Sequence, residues 1–164
     1  AQLLAQLGAT VIGVTRSEWK RDLAVQLGAR QAVSPDDAVA AVAEMTDGRG
    51  ADIVIEAVGT EATLAQSIEL AGHAGTVVLY GTAADGGQGL PYYQLYFKEL
   101  TIRCPRAATR ADYQRSIDLV AGGRIKAAPL VTSRFDLGQA DQALAAVKEP
   151  SALKVLMTVP QGAG

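Results

Sequence analysis

The sequence has one cysteine, Cys104, and one histidine, His73, in 164 residues. A single cysteine excludes an internal disulfide and any cysteine-rich zinc site within the chain, and it fits a reducing compartment. Aromatic residues make up only 5% of the chain, and neither sign of charge dominates: 15 Lys and Arg stand against 17 Asp and Glu. The two signs are interspersed, so no basic face arises and nucleic acid is not expected as a partner. No apolar run approaches the roughly 18 residues of a membrane span. The N-terminus, AQLLAQLG, lacks a basic leader, so neither a secretory signal nor a membrane partner is expected, and the location expected is cytoplasmic.

What is present is a globular composition, with 49% hydrophobic and 20% charged residues, enough for one domain with a core. Leu3, Leu4 and Leu7 recur at helical spacing and Gly8 reads as a C-terminal cap. Thr10–Thr15 reads as a buried strand, Ser17 as the cap of a helix over Glu18–Leu27, and Gly28 as its end. Leu-Gly-Ala occurs twice, at residues 7–9 and 27–29, each time where a helix hands over to a strand. Gln31–Ser34 is a short strand. Ser34-Pro35-Asp36-Asp37 starts a helix that ends near Asp47-Gly48, with proline at its first position and acids in its first turn. Strands follow at Ala51–Ala57 and Gly75–Gly81, around a helix over Thr60–Ala71.

The later segments continue in the same way. Ala84–Gly89 is a glycine-rich loop, Pro91–Phe97 a short helix or turn, and Leu100–Cys104 a strand. Thr109-x-x-Asp112 resembles a capping box opening a helix to Val120. Leu130–Ser133 is a short extended segment, Asp136-x-x-Gln139 opens a helix to Val147, and Lys154–Val159 is a final strand. Strands alternating with helices of about 10 to 15 residues imply βαβ units and a parallel sheet covered on both faces. The fold class expected is α/β, a doubly wound parallel sheet of the Rossmann kind. In such sheets ligands meet the carboxyl ends of the strands, which makes the strand tips the residues of interest: Thr15-Arg16-Ser17, Ala57-Val58-Gly59, Tyr80-Gly81-Thr82 and Cys104-Pro105-Arg106.

A dinucleotide-binding domain opens with strand, G-x-G-x-x-G, helix, and no such motif occurs in this chain. GTAADGGQG, residues 81–89, is rich in glycine but follows a late strand and opens no helix, so it reads as a loop at the sheet edge. The motif is expected before Ala1, with the first seven residues as the tail of the helix that receives the pyrophosphate. At the tip of the second strand, an Asp or Glu accepts hydrogen bonds from the adenosine ribose in NAD-specific domains and repels a 2′-phosphate. Here Thr15 is small and neutral, Arg16 offers a fork of donors suited to phosphate, Ser17 adds a hydroxyl, and Lys20 adds charge one turn on. The same residues also read as a solvated strand end with ordinary capping.

Other candidates carry bland readings beside the sharp ones. His73 lies in Ala-Gly-His-Ala-Gly, a turn, and reads as a surface residue. Cys104 reads as buried packing, since no histidine is near it in sequence. Glu56, inside a strand, reads as a buried acid, as an anchor for neighbouring backbone, or as a partner of an arginine. Tyr92, Tyr93, Tyr96 and Phe97 suit either a subunit interface or local packing of a short helix.

The ordered set LGATVIGVTRSEWKRDLAVQLGA, TDGRGADIVIEAVG, AGTVVLYG, YFKELTI and PLVTSRF resembles the C-terminal half of the medium-chain, zinc-type alcohol and polyol dehydrogenases. The resemblance covers nearly the whole chain. It implies that residues 1–105 are a partial dinucleotide-binding domain without its first strand and glycine motif, and that residues 106–164 return to a catalytic domain. It implies an oxidoreductase that moves a hydride between a nicotinamide and an alcohol or carbonyl carbon of a small molecule. NADP(H) is favoured over NAD(H), because family members that use NADP often carry a small residue followed by Arg-Ser, as at Thr15-Arg16-Ser17. By the same resemblance Lys20 contacts the adenosine ribose. Ala57, Val58, Gly59, Tyr80, Gly81 and Thr82 line the path from adenine to nicotinamide. Cys104 and Arg106 fall in the segment that reaches the nicotinamide, with Cys-Pro-Arg where Gly-Ser-Arg is more usual. Lys154 matches a basic position near the pyrophosphate.

Residues 90–104 resemble the family's oligomer-forming edge, which implies a homodimer or tetramer. Zinc and the catalytic residues belong to the family's N-terminal domain, so none is assigned to this chain, and the chain alone is expected to be inactive. The zinc-free quinone or enoyl reductase branch is the rival reading. That branch tends to carry an Asn-Tyr pair after the third strand, which Ala32-Val33-Ser34 lacks. A non-catalytic module for nucleotide binding or dimerisation is a further rival. The usual strand order 3-2-1-4-5-6 also predicts a gap here, between the strands at residues 10–15 and 51–57.

Overall fold

The computed structural model describes residues 1–82 and 89–159; most of the glycine-rich loop expected at 84–89 lies outside the described residues. The chain folds as two compact units, Ala1–Thr109 and Arg110–Gly164.

The first unit runs α1 (Gln2–Gln6), β1 (Ile12–Val14), α2 (Glu18–Gln26), β2 (Gln31–Val33), α3 (Ala38–Met45), β3 (Ala51–Glu56), α4 (Glu61–Leu70), β4 (Ala71–Leu79), α5 (Tyr92–Phe97) and β5 (Thr101–Arg103). The two Leu-Gly-Ala junctions are alike in conformation as well as in sequence. Gly8 and Gly28 end their helices at φ of +85° and +101°, left-handed backbone that a side chain resists. Gly13 leaves space for helix α2: a Cβ built there would touch the Cβ atoms of Ala24 and Ala32 at 3.4 Å.

All strand pairs in this unit are parallel, as βαβ units require. They form two separate sheets, β1–β2 and β3–β4–β5. No ladder joins β1 to β3 among the described residues, so the gap expected from the strand order is present. Packing spans it instead. Ala38 and Val42 of α3 and Leu70 of α4 form a buried cluster that receives Ile12 and Val33 from one sheet and Ala51 and Val54 from the other. The Gln66 amide adds a hydrogen bond to the Pro35 carbonyl at 2.7 Å. Ile68 and Val77, fully buried, fill the space between α4 and β4, and each contributes about 1.5 to 3 kcal/mol by leaving water.

The expectation of a sheet covered on both faces does not hold for β3. Val54 and Glu56 point to the helices, whereas Ile53 and Ile55 are 62% and 47% exposed. Alternation along a strand sends them to the opposite face.

Helix starts and strand ends also differ from expectation. Helix α3 begins at Ala38, because Ser34 and Asp37 close a tight turn first: the Ser34 hydroxyl donates to the Asp37 carboxylate and accepts from the Asp37 N–H. Strand β4 begins at Ala71, so His73 lies within a strand rather than a turn. The ladder is irregular there, with Ala51 opposite Ala71 but Ile53 opposite Thr76. Ala74 takes φ of +57° and its N–H leaves the ladder for the Lys98 carbonyl at 2.7 Å.

The second unit is a βαβ piece. Helix α6 (Arg110–Ala121) is followed by β6 (Val131–Asp136), α7 (Ala140–Val147) and β7 (Lys154–Thr158), with β6 and β7 parallel. The expected Asp136-x-x-Gln139 capping box forms, over a 3-10 turn just before α7. Strand β6 runs beyond the expected Ser133, because Thr158 donates back to Asp136 at 3.0 Å and the ladder continues to that level. Lys154 opens β7 and is exposed.

Candidate cofactor-binding site

The tip of β1 is held from α2. Thr15 continues the ladder by donating its N–H to the Val33 carbonyl at 3.0 Å. Ser17 is the N-cap residue of α2, but its side chain makes no capping hydrogen bond, so the expected hydroxyl cap is absent and the Ser17 hydroxyl is not spent on the helix. The residue that organises the tip is Arg21. One of its guanidinium nitrogens donates to the carbonyls of Thr15 at 3.1 Å and Arg16 at 3.0 Å. Arg16 itself is exposed. Lys20 is half-buried, with its ammonium 5.2 Å from the centroid of the Trp19 ring, a cation–π distance. Thr15, Arg16 and Ser17 thus follow one another at the strand tip with Lys20 on the first turn of α2, and none of the three tip residues is a carboxylate.

The tips of β3 and β4 are joined to each other. The Glu56 carbonyl accepts from the N–H groups of Tyr80 at 2.7 Å and Gly81 at 2.9 Å. Its carboxylate is buried, and Oε1 accepts from the N–H groups of Val58 and Gly59 and from the Thr63 hydroxyl, each at 2.8 Å. Thr63 also forms the capping box of α4 with Thr60. Burial alone would raise the Glu56 carboxyl, but the hydrogen bonds from Gly59, Thr63 and Val58 outweigh it and hold the group below the ordinary carboxylate value.

The turns Ala57–Gly59 and Tyr80–Thr82 touch backbone to backbone. A Cβ at Gly59, whose φ is +83°, would lie 2.6 Å from the Thr82 nitrogen, and a Cβ at Gly81 would lie 2.6 Å from Glu56 Oε2. The outer side of this pair carries Val58 and Tyr80, 68% and 72% exposed.

Cys104 and Arg106 follow β5, whose Arg103 is level with Val78 of β4, so they leave the same end of the sheet as Tyr80. The expectation that Cys104 is buried is wrong: it is an exposed free thiol. Strand β5 is the last in its sheet and its three residues are all exposed, so no packing closes over the residue that follows. The Thr15–Ser17 tip lies in the other sheet. Among the described residues no group of three or more His, Cys, Asp or Glu side chains is placed to hold a metal ion.

The neutral β1 tip with its exposed guanidinium, the glycine-lined contact between two strand tips and the parallel ladders are the features of a nucleotide-binding sheet end. A family model described as zinc-binding dehydrogenase matches residues 1–122. The chain belongs to the zinc-binding dehydrogenase family. Its relatives are oxidoreductases. A sorbitol dehydrogenase of Halalkalibacterium halodurans is 29% identical over 162 residues, which is 96% of this chain and 47% of the relative. An L-threonine 3-dehydrogenase of Bacillus licheniformis is 26% identical over 91% of this chain and 44% of the relative.

The solved structures agree. A candidate zinc-binding dehydrogenase from Sinorhizobium meliloti 1021, bound to NADP, superposes with a TM-score of 0.82 at 32% identity, over 95% of this chain and 48% of that one. An Escherichia coli oxidoreductase of unknown specificity gives a TM-score of 0.88 at 26% identity, over 98% and 47%. This dehydrogenase-family chain thus spans about half the length of the relatives it matches, and the parallel sheets of its first unit match part of their Rossmann-like domain. No helix among the described residues is long and apolar enough to cross a membrane.

Sequence reasoning named the tips but missed Arg21 and Thr63. The signal for Arg21 was its spacing: five residues after Arg16, on the first turns of α2, a long donor reaches back over the preceding carbonyls.

Proposed function

We propose that this chain is the cofactor-binding part of an NADP(H)-dependent alcohol or polyol dehydrogenase, acting on a small alcohol or carbonyl compound. The observation that carries the cofactor preference is the β1 tip. It has no carboxylate to repel a 2′-phosphate, and Arg16 stands exposed on backbone that Arg21 holds. The NADP-bound relative supports the same reading. Thr15, Arg16, Ser17 and Lys20 would hold the adenosine ribose and its phosphate. Ala57–Gly59 and Tyr80–Thr82 would flank the dinucleotide, with Cys104 and Arg106 beside its nicotinamide end. When bound, the nicotinamide supplies the hydride acceptor or donor. The residues here bind and orient it and shield one side from water. The chemistry of the donors fits that group and does not fit zinc, since the described residues bring no ligand set together. In the proposal the metal and the substrate-binding groups belong to the other half of a longer enzyme, whose first sheet strand would lie between β1 and β3.

The test is fluorescence titration of that enzyme with NADPH and NADH. Arg16→Ala is expected to weaken NADPH about 10- to 100-fold, the worth of one charge-assisted contact, and to leave NADH within about threefold, since NADH has no 2′-phosphate to lose. Equal losses for both cofactors would remove the phosphate reading.

The partner proposed is a second copy of the enzyme, through residues 90–104. Tyr92, Tyr93 and Tyr96 of α5 are each more than 70% exposed, and β5 beside them ends its sheet. Such an edge invites another strand. A monomer by sedimentation velocity, unchanged by Tyr96→Glu, would count against it.

A further inference from the structure

We infer that Glu56 is a positioning residue that locks the tips of β3 and β4 into one ledge, shaped before the cofactor arrives. The inference rests on the cofactor reading above and adds to it the residue on which the ledge depends. Glu56 takes five hydrogen bonds, two on its carbonyl from Tyr80 and Gly81 and three on its carboxylate from Val58, Gly59 and Thr63. Three segments therefore meet on one side chain and its own peptide: the β3–α4 turn, the first turn of α4, and the β4 tip. Glycine at 59 and 81 lets the two turns touch, with less space between them than a methyl group needs.

The arrangement also sets what the ledge offers. The Val58 and Gly59 N–H groups, which at a helix start would serve an anion, are turned inward and spent on the carboxylate. An anion already occupies that place, so the ledge is closed to phosphate. It presents the Val58 and Tyr80 side chains, exposed on its outer side, to an uncharged part of the dinucleotide. A side chain that fixes two contact segments at once acts on affinity by preorganisation, which removes the ordering cost from the binding step.

The experiment compares Glu56→Ala, Glu56→Gln, Thr63→Ala and a control, Ile68→Ala, in the intact enzyme. Each is titrated with NADPH by fluorescence, unfolded by heat, and followed by amide hydrogen exchange at Val58 and Gly59. Ile68 is fully buried between α4 and β4 and touches neither tip's hydrogen bonds, so the control reports what loss of stability alone does. Glu56→Ala is expected to raise the NADPH dissociation constant at least tenfold and to speed exchange of both amides. Glu56→Gln keeps the shape and one acceptor, and recovers most of that loss. Thr63→Ala raises the constant about threefold, the worth of one neutral donor. Ile68→Ala lowers the melting temperature and leaves the constant within twofold. If Glu56→Ala does not fold, Glu56→Gln and Thr63→Ala decide through their exchange rates and constants. Unchanged NADPH affinity in folded Glu56→Ala or, where that variant does not fold, wild-type affinity and wild-type amide exchange in Thr63→Ala, or an equal loss in Ile68→Ala, overturns the inference alone. A wild-type enzyme without affinity for any dinucleotide overturns the cofactor reading and the inference with it.

Discussion

Two strand tips of one unit are built by opposite means. At the end of β1 the chemistry is on the outside: Thr15, Arg16 and Ser17 face solvent wholly or in part, and one guanidinium, Arg21, holds the Thr15 and Arg16 carbonyls. At the ends of β3 and β4 the chemistry is inside. Glu56 is 6% exposed, its hydrogen bonds are spent within the protein, and the large side chains turned outward are Val58 and Tyr80. The first arrangement suits discrimination, because charge that is not used in folding remains for a ligand. The second suits placement, because groups already satisfied by the fold do not move when the ligand arrives. The same contrast explains why substitution should separate affinity from stability at one tip and not at the other.

The largest effect is expected at the inner tip. Gly81→Ala or Gly59→Ala would force a methyl group against backbone and is expected to cost about 3 kcal/mol or more, from overpacking at either glycine and left-handed strain at Gly59, read as a lower denaturation midpoint. A loss below about 1 kcal/mol, the size of an average point substitution, would erase the contrast. Next comes Thr15→Asp at the outer tip. A carboxylate there should repel a 2′-phosphate and accept from a ribose hydroxyl, so preference should move toward NADH by about tenfold or more, the worth of one ionic contact. Stability should stay within about 0.5 kcal/mol, as for exposed sites. An Asp enzyme that still prefers NADPH would mean that Arg16 is not facing that phosphate.

A smaller effect is expected from Arg21→Ala. Losing its two hydrogen bonds to the Thr15 and Arg16 carbonyls should weaken NADPH and NADH alike by about three- to tenfold, in line with loss of one or two such contacts, since the tip loses its shape rather than its charge. A selective loss of NADPH would instead show Arg21 meeting the phosphate itself. The smallest is a pH effect at the inner tip. The Glu56 carboxyl is lower in the folded chain than its ordinary value of 4.5, so the folded state prefers the ion. Its contribution is complete above that ordinary value and is lost as the pH falls through the lowered folded value. Thermal melts of the wild-type enzyme should lose stability across that acid window, and Glu56→Gln should lose less over the same range.

Much of the fold was legible along the chain. Glycines after Leu7 and Leu27 marked helix ends, because backbone with positive φ is a local demand that a residue meets or does not. The Asp136-x-x-Gln139 cap was legible for the same reason. The missing ladder between β1 and β3 followed from the strand order that the resemblance implied. Less legible were features set by a partner distant in sequence. His73 read as a turn residue, and its segment entered β4 as an irregular start, because the Lys98 carbonyl takes the Ala74 N–H. The Lys98 ammonium, which donates to the carbonyls of Ile68, Glu69 and Ala71, had no signature in its neighbours at all. Cys104 read as buried packing because no histidine lies near it in sequence to make it a nucleophile; its exposure follows from β5 being the last strand of its sheet.

For the site, residue types left Thr15-Arg16-Ser17 open between a solvated strand end and a phosphate site, and the resemblance to the dehydrogenases turned it toward NADP(H); that reading needs no tertiary partner within the chain, since the ligand would complete the chemistry. Glu56 is the contrary case. Sequence left it as a buried acid, a backbone anchor or half of an ion pair, and all three are compatible with a carboxylate in an apolar strand. Only tertiary structure decided among them, because the donors that claim it come from a turn, a helix and a second strand, up to 25 residues further along the chain. Hydrogen bonds of that reach depend on how the parallel crossover brings β4 beside β3, and that is a property of the folded sheet.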